Sequence, residues 1–268
     1  MSADRTRGAD SLMHALLASL DAAALRDEGA AVVIDLERGA CARWRDDEDI
    51  YPASIPKIAL MADAFRRIAA GSLARDLQVC IAAENITPTA DPTPLKPGSN
   101  ARLDELIALA VERSDNIAAN QLIDVLDRAA VTRSMRECGL AHFLLGRKFS
   151  GGEPFVEGPD IGTRNSMPPS EAALLLELIA RDALPFAAEQ RAILSHCADR
   201  DMLVRGLRAS DIFMHKTGVT RSASHDAGIL QTDSGARYVI VLYTALDGFA
   251  SASSGRMATW MRTLRSHL

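Results

Sequence analysis

Three short motifs carry residues that could do chemistry together. Ser54-Ile-Pro-Lys57 sets a hydroxyl and an amine three residues apart, and at the start of a helix that spacing puts both on one face, where the amine can share a hydrogen bond with the hydroxyl. A helix N-terminus adds positive potential and free backbone N–H groups that stabilise an oxyanion developing beside the serine. Alone, the pair reads more simply as a helix cap and a solvated lysine. Ser114-Asp115-Asn116 lies between two predicted helices, and Lys216-Thr217-Gly218 ends a predicted strand. All three motifs, in this order, arise by chance on the order of 10⁻⁴ times in a chain of this composition. The chemistry they imply is a serine nucleophile with an amine beside it. Of the 30 basic residues only four are lysines, and two of them, Lys57 and Lys216, fall inside the motifs.

The elements that must position these residues follow from hydrophobic periodicity. A helix is predicted over 11–26, closed by Glu28-Gly29, followed by strands at 30–36 and 40–44 around an Arg38-Gly39 turn. Helical spacing recurs at 55–70, 103–112, 117–126, 128–138, 170–180 and 186–196, interrupted by a proline-rich stretch at 87–100 and a glycine-rich loop at 148–169. That second loop is too long for an ordinary connection, which marks it as functional. After residue 205 the period switches to strands at 212–216, 224–232 and 237–245, and a helix at 256–265 closes the chain. The expected fold is α/β (α+β): one antiparallel sheet built from both termini and flanked by helices, residues 1–48 and 199–268, with an all-helical subdomain, 49–198, inserted and a cleft at the junction. Trp44, Trp260 and Met257 are expected in the core.

Composition narrows the function classes. The chain has 268 residues, a net charge of −5 and 48% hydrophobic residues, enough to build a core without disulfide or metal. Its acidic balance, with no arginine run longer than a pair, argues against nucleic acid. No apolar stretch approaches the length of a membrane helix. Asp4, Asp10, Asp21, Asp27 and Glu28 occupy the region where an export signal would be basic and then apolar, so a cytoplasmic location is expected. Cys41, Cys80, Cys138 and Cys197 lack metal-ligand or redox spacing, so free thiols, no metal and no cofactor are expected. A monomer acting on a small molecule completes the expectation.

The set SxxK, SDN and KTG resembles that of the class A β-lactamases and related penicillin-recognising serine enzymes. The stretch from Lys216 to Gly228, with His225-Asp226-Ala227-Gly228 following KTG, is similar to a class A-related group. The resemblance implies hydrolysis of a β-lactam amide through an acyl-enzyme on Ser54, with Lys57 taking its proton or holding the amine–hydroxyl network together, Ser114 relaying a proton to the leaving nitrogen and Asn116 binding the substrate amide. It implies that Lys216 and Thr217, followed by Gly218, hold the substrate carboxylate, and that the backbone N–H groups of Ser54 and Val219 form an oxyanion hole. Related serine amidases or esterases, and slowly deacylating penicillin-binding proteins, are the alternatives. The family's deacylating glutamate stands in a Glu-Pro-x-Leu-Asn context. Here the loop reads Gly151-Gly152-Glu153-Pro154-Phe155-Val156-Glu157, so Glu153, Glu157 or no carboxylate fills that role. Arg221 either assists carboxylate binding or is a solvated charge. His225 and Asp226 are read as a structural hydrogen-bonded pair, and His215, beside Lys216, points to the opposite face of its strand.

Overall fold

Strand alternation sorts the apolar side chains onto two faces of one sheet. In the computed structural model, which describes residues 3–89, 91–152, 156 and 164–268, the strands are β1 (Gly29–Asp35), β2 (Cys41–Trp44), β5 (Ile212–Thr220), β6 (Ala223–Gln231) and β7 (Arg237–Thr244), arranged β2-β1-β7-β6-β5. Every pairing is antiparallel, and the N-terminal and C-terminal strands meet where Val32 faces Val241. Val32, Ile34, Ile229, Val239, Val241 and Tyr243 face the middle of the chain. Ala31, Val33, Phe213, Leu230, Ile240 and Leu242 face the other way, onto helices α1 (Ala3–Ala22) and α8 (Ser251–Arg265). A sheet covered on both faces is why β1 and β7 read as continuous apolar runs.

The middle of the chain supplies α2 (Lys57–Ala69), α3 (Leu103–Glu112), α4 (Asn116–Leu126), α5 (Arg128–Glu137), α6 (Pro169–Ala180) and α7 (Ala187–Ser195). Helix α2 is central: residues 57–65 are all buried, and α3, α4 and α5 pack around it. The carboxylates of Asp115 and Asp127 cap α4 and α5 by accepting from Ala118 N at 3.0 Å and Ala130 N at 2.8 Å. Helix α6 crosses β1, β6 and β7, so one apolar cluster runs from the sheet into the helices.

Four expectations need correction. The middle is not all-helical: β3 (Gln78–Cys80) pairs with β4 (Asn100–Arg102) and closes the proline-rich stretch, and strands of three residues are too short to show an alternation. Helix α1 ends at Ala22, because Leu25 turns into the core and Gly29 N donates to Leu25 O at 2.8 Å; a Cβ on Gly29 would lie 2.7 Å from that carbonyl. Helix α8 begins five residues before the expected start and carries Gly255 inside it, its propensity overridden by the burial of Met257, Trp260 and Met261 against α1. Trp44 is only partly buried and packs at the edge of the same cluster.

Candidate active site

The segment before α2 is a tight turn. Ile55 N donates to Pro52 O, Lys57 N to Ser54 O and Ile58 N to Ile55 O, all three residues apart, and α2 starts only at Lys57. Ala53 is held at φ 49°, a left-handed conformation that costs a non-glycine residue about 1 kcal/mol or more. The turn leaves the Ser54 side chain partly exposed while Ala53 and Ile55 are buried.

Lys57 is fully buried, and its Nζ donates to Ser114 O and Asn116 Oδ1, each at 2.7 Å, with Ser114 Oγ at 3.3 Å. Its hydrogen bonds therefore run to the SDN segment and not to the Ser54 hydroxyl with which the spacing paired it. Ser114 is itself left-handed, at φ 54°, which turns its carbonyl and hydroxyl toward the amine. Burial pushes the Lys57 amine well below the usual lysine range and the charge of Lys216 adds to this, against an opposing pull from Asp115. The lowered pKa makes the amine easier to deprotonate, and a deprotonated amine carries a lone pair that can accept a proton.

β5 is the edge strand of the sheet, so its outer backbone groups have no strand partner. It approaches the Ser54 turn at Gly218: a Cβ there would lie 3.1 Å from Pro52 O and 3.2 Å from Ser54 N. The glycine of KTG is thus the residue that lets the strand reach the serine. Lys216 is fully buried, donates to Thr217 O at 2.7 Å, and is also lowered from the usual range by burial. Thr217 is buried, Val219 is half-buried, and Arg221 is exposed in the two-residue turn between β5 and β6. Glu153 and Glu157 lie outside the described residues.

Residues 12–259 match the family described as the β-lactamase enzyme family. The chain belongs to this family. A β-lactamase of Rhodobacter capsulatus is 28% identical over 224 residues, 80% of this chain and 75% of that protein. PBP-A shares the fold with a TM-score of 0.83 at 21% identity, over 94% of this chain and 95% of its own. A β-lactamase from Sphaerobacter thermophilus DSM 20745 does so with 0.82 at 23% identity, over 95% and 97%. The chain is therefore a β-lactamase-like serine enzyme on a β-lactamase fold.

Several supports of this β-lactamase-like site are invisible to motif reading. His225, fully buried, donates from Nε2 to Tyr51 O at 2.9 Å and accepts from Thr244 N at Nδ1, 3.1 Å away, so β6 anchors the chain three residues before Ser54. Its ring stacks on Tyr243 with centroids 4.2 Å apart, and burial lowers its pKa to about 4. The expected His225–Asp226 pair does not form, because neighbours on a strand point to opposite faces. Asp226 instead pairs with His215 Nδ1 at 2.7 Å, both fully buried on the rear face, and its other oxygen accepts from Leu203 N. Burial opposes protonation of His215, but the Asp226 carboxylate outweighs it and raises the pKa to about 10. Cys197 sits beside His215; burial pushes its thiol up, and the hydrogen bond and charge of His215 more than offset this. All four cysteines are free.

Phe149 is the other unforeseen neighbour, its ring 4.8 Å from Lys57 Nζ. A groove of about 850 Å³ runs along α5 past Arg128, Arg133 and Arg136. Among the described residues, those arginines bring no nucleophile beside a base.

Proposed function

We propose that the protein is a class A-like serine β-lactamase in which Ser54 is acylated by the β-lactam carbonyl. The observation that carries this reading is Lys57, buried and neutral-leaning, held by Asn116 and Ser114 beside the Ser54 turn. In the proposed reaction the Ser54 oxygen attacks the lactam carbonyl while its proton passes to the Lys57 lone pair. The oxyanion is received by the backbone N–H groups of Ser54 and Val219, each such donor contributing about 3 kcal/mol to the transition state. Ser114 Oγ, 3.3 Å from Lys57 Nζ, delivers a proton to the ring nitrogen as the C–N bond breaks. The Lys216 ammonium binds the substrate carboxylate, with Thr217 beside it.

The test is hydrolysis of a chromogenic cephalosporin. The wild-type protein consumes it, with at least a first stoichiometric turnover, and Ser54→Ala does not. Equal rates for the two proteins overturn the assignment.

A further inference from the structure

We propose that Phe149 closes the loop side of Lys57 to water and thereby makes the acyl-enzyme on Ser54 long-lived. This rests on the Ser54 reading above and concerns the second half of the reaction.

Hydrolysis of the acyl-enzyme needs a water whose oxygen bonds to the acyl carbon as one of its protons passes to a base. The bond from that carbon to Ser54 Oγ then breaks, and Oγ takes a proton back. Such a water must sit between the ester and a basic group. Beside Lys57, the aromatic ring of Phe149 fills space next to the amine that such a water would need: it lies 4.8 Å from Nζ and is buried. No carboxylate among the described residues hydrogen-bonds Lys57.

The ring is fastened by a ladder along α4. Asn116, Asn120 and Asp124 recur every four residues, hence on one face of the helix. Asn116 holds Lys57. Asn120, fully buried, grips the Phe149 backbone at both ends, accepting from its N–H at 2.8 Å and donating to its carbonyl at 2.9 Å. Asp124 accepts from Lys148 Nζ, which also donates to Asn85 at 2.6 Å. Two residues beyond Phe149, Gly151 N donates to Thr87 Oγ1 at 2.9 Å, and a Cβ on Gly151 would overlap Pro88 O. The same face of α4 therefore holds both the base and the backbone of its apolar cover.

The experiment loads the full chain with benzylpenicillin, removes excess ligand, and follows loss of the adduct by intact mass over time. The wild-type adduct persists, and Phe149→Glu, which sets a carboxylate where the ring was, releases it about 10²-fold faster or more. Phe149→Leu keeps an apolar cover and stays within about threefold of wild type. Phe149→Ala, which cannot clash, carries the test if the glutamate variant folds poorly: by admitting water it speeds release roughly tenfold. It also moves the low-pH limb of acylation to higher pH, because Lys57 loses part of the burial that lowers it. The inference is overturned if wild type and both the Glu and Ala variants release at rates within threefold of one another. It is equally overturned if Glu153→Gln slows wild-type release tenfold, since Glu153 would then set the rate. Rapid release from a wild type that does form the adduct overturns this inference alone; absence of any adduct overturns the Ser54 reading with it.

Discussion

The two faces of the β5–β6 hairpin use neighbouring residues for opposite electrostatic ends. On the front, Lys216 is near enough for its charge to act on Lys57, no carboxylate is hydrogen-bonded to either among the described residues, and both amines are pushed below the usual lysine range by burial. One residue away, on the rear, His215 meets Asp226 at 2.7 Å and holds its proton up to about pH 10. The same pairing geometry puts His225 on the front, neutral, next to Asp226 on the rear. Burial is similar throughout. What differs is whether the buried nitrogen has a carboxylate in hydrogen-bond contact: His215 has one, and the two front amines, with only more distant acids, do not.

The largest expected contrast is between removing a front amine and removing a rear acid. Lys57→Ala deletes the proton acceptor and lowers the rate of Ser54 acylation by about 10²–10⁴-fold with little change in the thermal midpoint, read by adduct formation and calorimetry. Asp226→Asn strands a buried imidazolium and costs about 3–5 kcal/mol of stability, read by denaturant unfolding, while folded molecules still acylate.

A pH titration sharpens the comparison. On the front, acylation needs Lys57 neutral and substrate binding needs Lys216 charged, so the rate rises with pH through the lowered Lys57 pKa and affinity falls with pH through the lowered Lys216 pKa. In the fold, His225 is depressed to about 4, so its contribution is complete above the unfolded value of about 6.5 and is lost as pH falls toward 4, amounting to roughly 3 kcal/mol. His215 behaves in reverse, its contribution being present below about 6.5 and lost as pH rises toward 10. Unfolding free energy measured from pH 4 to 10 therefore peaks near neutrality, and His225→Asn flattens only the acidic limb.

The smallest effect is steric. Gly218→Ala forces its Cβ into contacts of 3.1–3.2 Å with the Ser54 turn, costs about 1–3 kcal/mol, and slows acylation more than it lowers stability, as the ratio of the two measurements will show.

The front of the site was largely legible in the chain because SxxK, SDN and KTG are contiguous, and β6 and β7 were legible because apolar runs between turn residues mark strands. The supports were not. Asn120 grips Phe149 across 29 residues without any local pattern, and His225 reaches Tyr51 across 174. The rear pair could have been found, since period two forbids His225 and Asp226 from meeting and the antiparallel register brings Asp226 opposite Thr217, next to His215. Gly228 carried the same message: a Cβ there would lie 2.6 Å from His215 Cβ, so the glycine of HDAG makes room for the histidine before KTG. The Ser54–Lys57 hydrogen bond was misread because the serine lies in a turn with bonds three residues apart, ahead of the helix.

The most direct measurement is peptide mapping of the protein after brief exposure to benzylpenicillin. The account predicts one penicilloyl group, carried on the peptide containing Ser54 and absent from Ser54→Ala; labelling of another residue, or equal labelling of that variant, would contradict it.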